Sequence, residues 1–350
     1  MNICIVGQYP PMVGGVSTYC SNLRSELESR GHKVYVLTYY QKDNVVDNNV
    51  FMAGRLDFPV LRALSFIIEG FFILRRIKKE FDIDIIHANY LLPPGLISVF
   101  NKKGTRIVVT AHGSDINILP NNVITKRLLK YVINNASDVY FVAKKLQEKA
   151  LEQGLLKNRK SQVTPNTVNT EKFKPQKTEA NKKPKVIFIG NLVKQKGLKY
   201  LLEAKKEAKT SYTLEIYGEG PEKQKLQEYI NKHKLSDTHL MGKTRTPEKI
   251  IPQADIMVLP SIHEGASIIS LESMSCGKAL ISTDTGNIKE VITNYENGII
   301  IEKENPHQLN QAIETLLNNT ELRKKIGENA RKRIIEKYSK MKIPYIDEVE

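Results

Sequence analysis

Short apolar runs alternate with stretches of helical period along most of this chain. Residues 2–7 (NICIVG), 34–38, 84–87 (DIIH), 106–110 (RIVVT) and 139–142 each read as a buried strand. Helix-like spacing fills much of the intervals, with one segment reaching about Arg30 and another covering 54–81. The same alternation restarts at 185–190 (KVIFIG) and continues through 214–218 (LEIYG), 256–259, 279–282 and 299–301. Helices are expected at about 307–317 and 321–338. Strands that are apolar throughout, with helices between them, predict parallel sheets covered on both faces. The two series are separated by 174–184 (KPQKTEANKKP), a polar, Lys-rich linker bracketed by Pro175 and Pro184. The expected fold is therefore α/β, with two doubly wound Rossmann-like domains at 1–173 and 185–335 and a tail at 336–350.

The most informative stretch is 258–287 (VLPSIHEGASIISLESMSCGKALISTDTGN). A strand meets a loop at Pro260 and Ser261, and Glu264 and Gly265 follow in that loop. Ile268, Ile269, Leu271 and Met274 recur at helical spacing, and Gly277 stops the helix. Ser267 and Ile268 therefore lie at a helix N-terminus, where free N–H groups and the helix dipole suit a phosphate. Two carboxylates, Glu264 and Glu272, flank that position. They are tolerable beside an anion if they bind hydroxyls, as a sugar or a ribose supplies. The plainer alternative is that Glu264 complements the helix dipole and Glu272 is a solvated surface residue.

Other candidates sit at expected strand ends. Gly14 and Gly15 follow the first strand, where paired glycines let the backbone approach a phosphate or simply make a turn. His112 and Asp115, in 111–115 (AHGSD), follow the strand at 106–110. Asp115 is suited to an acceptor hydroxyl, and equally to capping the next turn. Asn191 and Lys196 occupy the loop after 185–190, and a lysine there can meet charge on a departing diphosphate. Gly218 closes the strand at 214–218.

Glu264 and Glu272, with seven residues between them and set in PSIHEG and ESMSCGK, resemble the signature of the retaining glycosyltransferases of family 4 (glycosyltransferase group 1). AHGSD, 165–173 (PNTVNTEKF) and 218–221 (GEGP) extend the resemblance over most of the chain. It implies a GT-B fold with the active site in a cleft between two domains, and a tail that crosses back to the first. It further implies that a nucleotide sugar binds mainly the second domain and the acceptor the first, with retention of anomeric configuration. By the same resemblance Gly14 and Gly15 face the diphosphate and His112 lies near the transferred sugar, Glu264 contacts that sugar, and Glu272 holds the ribose. Catalytic roles are expected for His112, Lys196 and Glu264. Donor contacts are expected from Gly14, Gly15, Asn191, Lys196, Gly218, Glu264, Ser267, Ile268 and Glu272, and an acceptor contact from Asp115. Three positions depart from the family pattern. Thr167 stands where Gly is usual and Asn169 where Asp is usual, and Asn191 replaces an expected Arg.

Composition narrows the partners. The net charge is +15, which suits an anionic nucleotide, a nucleic acid or an anionic membrane surface. No nucleic-acid reader motif is visible, and the lysines are not interleaved with exposed aromatics, so nucleic acid is not expected as a partner. The segment 54–81 ends in Arg75, Arg76, Lys78 and Lys79 beside Phe71, Phe72, Ile73 and Leu74, suiting either an anionic bilayer or an ordinary core helix. Three cysteines, Cys4, Cys20 and Cys276, lie far apart and lack metal-ligand spacing. No metal and no cofactor is expected, the nucleotide sugar being a substrate. The expected setting is cytoplasmic, peripheral to the inner face of the cell membrane. The expected reaction is transfer of a sugar, from UDP in preference to GDP, to a glycan or lipid-linked acceptor. The alternatives are a sugar-nucleotide epimerase of the same architecture and a catalytically silent binding module.

Overall fold

The computed structural model describes all residues except Val13, 42–46, 57–58, 157–159, 178–181 and 349–350. Part of the expected linker and the last two tail residues therefore lie outside the described residues. The chain divides into two compact units, Met1–Asn166 together with Met341–Glu350, and Thr167–Lys340.

In the first unit seven parallel strands are β1 (Asn2–Val6), β2 (Lys33–Tyr39), β3 (Val50–Ala53), β4 (Ile85–Asn89), β5 (Arg106–Ala111), β6 (Asp138–Phe141) and β7 (Gln162–Val163). Their order is β3-β2-β1-β4-β5-β6-β7, so the connection reverses between β1 and β4. Such a switch point is where open α/β sheets bind ligands. Ile3, Ile5, Ile86, Val108 and Val109 are fully or almost fully buried, as strands covered on both faces require.

The second unit repeats the plan with β8 (Lys185–Ile189), β9 (Thr213–Tyr217), β10 (Thr238–Gly242), β11 (Ile256–Leu259), β12 (Ala279–Thr283) and β13 (Ile299–Ile301). Their order is β10-β9-β8-β11-β12-β13, with the switch between β8 and β11. The loops carrying Lys196 and Glu264 follow these two strands. Each unit is a Rossmann-like α/β domain.

Several details differ from the sequence expectation. β3, β7 and β10 were not anticipated. β3 and β10 are edge strands with partly exposed residues, and β7 has only two, so none carries a strong apolar run. The helix expected over 54–81 spans Pro59–Glu80. β4 runs two residues past the expected strand and delivers Asn89 to the sheet end. The tail packs into the first unit, where the buried Tyr345 hydroxyl lies 2.9 Å from His87 Nδ1 and Arg30 pairs with Asp347 at 2.6 Å.

Candidate functional site

Backbone contacts in the second unit lock two loops together. Lys194–Lys196 forms one turn of 3-10 helix after β8, and Gly197 ends it in the left-handed region at φ 65°. A Cβ on Gly197 would stand 2.0 Å from the Pro260 carbonyl oxygen, so only glycine lets the loops approach this closely. The Ile262 N–H then donates to the Gln195 carbonyl at 2.8 Å. The consequence is an ion pair in which Lys196 Nζ lies 2.8 and 2.5 Å from the two carboxylate oxygens of Glu264.

Beside that pair starts the helix Ile268–Ser275, with Ser267 as its N-cap and the Ser267 hydroxyl oxygen accepting from the Ser270 N–H. Glu264, Ser267, Ser261, Leu259, Thr285 and Asn287 border a small hollow at the mouths of β11 and β12. Ile268 is buried at the first helical position. Glu272, one turn further in, is only 5% exposed, which overturns the solvated-surface alternative. Burial pushes its carboxyl up to about 8; Lys172 opposes the rise and Glu248 adds to it. Lys172 and Glu248 are themselves 3.7 Å apart. Neither was assigned a role from sequence, since Lys172, within 165–173, and Glu248 meet Glu272 only through the fold.

Asn191 is exposed in the loop after β8. Gly218, at the end of β9, lies so close to that loop that a Cβ would stand 1.9 Å from the Gly190 carbonyl oxygen. Asn191, Lys196, Gly218, Glu264, Ser267, Ile268 and Glu272 thus belong to the second unit, whereas Gly14, Gly15, His112 and Asp115 belong to the first.

In the first unit Gly15 opens the helix Gly15–Ser29, with Gly14 as N-cap and no acidic residue in the first turn. His112 is buried at the end of β5, its Nε2 3.0 Å from Asn89 Oδ1 and its ring edge-on to Tyr19 at 4.8 Å. Burial holds its pKa down to about 3, so the ring is neutral. A carboxamide oxygen can only accept, so the Nε2 carries the proton and donates to Asn89. The pairing of Asn89 with His112 joins two strand ends 23 positions apart and has no signature in the sequence.

Asp115 is fully buried and accepts from the backbone N–H groups of Gly113 at 2.8 Å and of His112 at 3.2 Å. A third N–H, from Leu91, lies 3.4 Å away. Its carboxylate holds the His112–Gly113 loop from within the helix Ser114–Asn117, whose N-cap is Gly113, so it does not cap a following turn. Burial raises this carboxyl to about 6 against the lowering effect of those N–H donors.

The model of Glycosyltransferase Family 4 matches residues 13–172, and that of Glycosyl transferases group 1 matches 169–333. An uncharacterised glycosyltransferase of Methanocaldococcus jannaschii is 30% identical over 95% of this chain and 92% of its own length. This chain belongs to the family 4, group 1 glycosyltransferases. Within the family, N-acetyl-alpha-D-glucosaminyl L-malate synthase of Bacillus anthracis is 27% identical over 95% of this chain and 92% of its own. The GPI3 subunit of Saccharomyces cerevisiae phosphatidylinositol N-acetylglucosaminyltransferase is 26% identical over 88% and 73%. Among solved structures, sucrose-phosphate synthase from Thermosynechococcus elongatus superposes with a TM-score of 0.85 at 18% identity, covering 96% of this chain and 94% of its own. Anabaena HepE in complex with UDP and glucose follows at 0.80 and 16%, covering 97% and 95%. These likenesses establish the GT-B fold of this glycosyltransferase.

Proposed function

We propose that this glycosyltransferase moves a sugar from a nucleotide sugar, UDP-linked in preference to GDP-linked, to a glycan or lipid-linked acceptor in cell-surface glycoconjugate synthesis, with retention of configuration. The observation that carries the donor assignment is the Lys196–Glu264 pair beside the Ser267-capped helix, with the carboxyl of Glu272 buried within it. Lys196 and the helix N-terminus at Ser267 meet the diphosphate, Glu264 holds the sugar, and Glu272 accepts from ribose hydroxyls. These groups supply the stabilising charge, so the reading includes no metal. As the acceptor oxygen bonds to the anomeric carbon, the bond to the diphosphate breaks on the same face. A diphosphate oxygen takes the acceptor proton, and no side chain is assigned as base.

The names of two relatives make N-acetylglucosamine the first sugar to test, and that of the yeast relative favours a lipid-borne acceptor. The test is calorimetric binding and hydrolysis of a panel of nucleotide sugars, with and without EDTA, by wild type, Glu272→Ala and Lys196→Ala. Binding of one donor, insensitive to EDTA and lost in both variants, is the expected result. A panel in which nothing binds would refute it. The anomeric proton coupling of the product then reads retention directly.

A further inference from the structure

The helix Pro59–Glu80 buries Phe66, Leu74 and Ile77 and turns another apolar stripe outward. Leu61, Leu64, Ile68 and Phe72 recur every three or four residues on its exposed side, Ile68 and Phe72 being 62% and 64% accessible. The same side continues into exposed Arg75, Arg76 and Lys79. An ordinary surface helix places polar residues at such positions.

The stripe has neighbours. Lys78 Nζ donates to the Asn101 carbonyl at 2.7 Å, and Asn101 Nδ2 to the Phe71 carbonyl at 3.4 Å, tying this helix to Leu96–Phe100. Exposed Phe100 in turn meets exposed Tyr131 of the helix Val123–Asn135, with ring centroids 5.9 Å apart. Val123 and Ile124 stand out at the start of that helix. From position 85 to 137 the only acidic residue is the buried Asp115, against Lys102, Lys103, Lys126, Arg127 and Lys130, while Arg106 is paired with Asp138 at 2.7 Å. On the stripe helix Glu69 accepts from the Gly54 N–H at 3.0 Å, and Glu80 lies 4.0 Å from Arg76.

We propose that this outer face of the first unit rests on an anionic phospholipid bilayer, with Leu64, Ile68 and Phe72 inserted at the headgroup boundary and the flanking cations on lipid phosphates. Charge complementarity selects this occupant, because an apolar stripe running into basic residues matches an interface that is apolar below and negative above. Among the described residues no helix is long and apolar enough to cross a membrane, so the contact is peripheral. It places the enzyme where a lipid-borne acceptor lies, yet it does not depend on the donor assignment.

The chain contains no tryptophan, so Phe72→Trp introduces a single fluorescent reporter into the stripe. Its emission is expected to shift to the blue, and the protein to sediment, with vesicles of phosphatidylcholine plus phosphatidylglycerol but not with phosphatidylcholine alone. Arg75→Gln/Arg76→Gln/Lys79→Gln should weaken vesicle affinity about tenfold or more, and Ile68→Glu/Phe72→Glu should abolish it while circular dichroism stays unchanged. Equal responses to both vesicle types, or none to either, would overturn the proposal. So would a blue shift that grows with protein concentration in the absence of lipid, since a second copy would then cover the face. Vesicle binding is measured without nucleotide, and UDP binding in parallel, so failure of one reading is distinguishable from failure of the other.

Discussion

Lys196 Nζ bridges both carboxylate oxygens of Glu264, at 2.8 and 2.5 Å, across 68 positions of sequence. With Glu264 neutralising it, the lysine is only partly available to an anion.

Glu264→Gln should therefore tighten UDP binding by roughly tenfold, about 1.4 kcal/mol, while lowering turnover by roughly a hundredfold through loss of the sugar contact. Lys196→Ala should weaken both. Calorimetry with UDP decides it, because weaker binding by Glu264→Gln would make the carboxylate itself a ligand of the nucleotide.

Glu272 predicts a pH dependence with a defined sign. Its folded pKa, about 8, stands above the ordinary 4.5, so the protonated form is favoured in the native state. Stability associated with that proton is fully present below about 4.5 and is lost as pH rises through about 8. Denaturant midpoints for wild type should fall relative to Glu272→Gln across that window. Ribose hydroxyls favour the carboxylate, so UDP binding at pH 7 should release a proton, seen as a dependence of calorimetric heat on buffer ionisation enthalpy. A buffer-independent heat would refute the ribose assignment.

Asn191→Arg tests the departure from the family pattern. The position is exposed and follows β8, so the substitution should fold normally. A restored guanidinium on the diphosphate should improve UDP affinity by about 1.5–3 kcal/mol. An unchanged dissociation constant would show that this loop does not reach the nucleotide.

Tyr345→Phe removes the hydroxyl 2.9 Å from His87 Nδ1 and should cost about 1–3 kcal/mol of first-unit stability, read by urea denaturation. Burial holds His87 and His112 down to about 3, so both are neutral in the native state. Their contribution is present above about 6.5 and is lost as pH falls toward 3, by up to about 1.4 kcal/mol per pH unit for each histidine. A first unit whose stability is flat between pH 6.5 and 4 would contradict their burial as neutral rings.

Asp115 shows where reading along the chain stops. Its place after β5 was visible in AHGSD, but whether its carboxylate faces a hydroxyl or its own loop depends on the N–H groups of Leu91, His112 and Gly113, the first from another strand end. The role of Asn89 is hidden for the same reason, since its partner His112 lies 23 positions away.

What the sequence determined by itself was local. Strands of a parallel sheet are buried on both faces and announce themselves as apolar runs, and Ser267 marks the start of its helix because a cap needs only its own next turn. The glycines of the loops and the carboxylate pair were legible because their spacing carries a family's chemistry. Tertiary structure alone decided the strand orders, the burial of Glu272 and the Lys196–Glu264 pair. Each depends on elements distant in sequence meeting at a sheet's switch point, where Gly197 must pass within van der Waals range of Pro260 before lysine and carboxylate can touch.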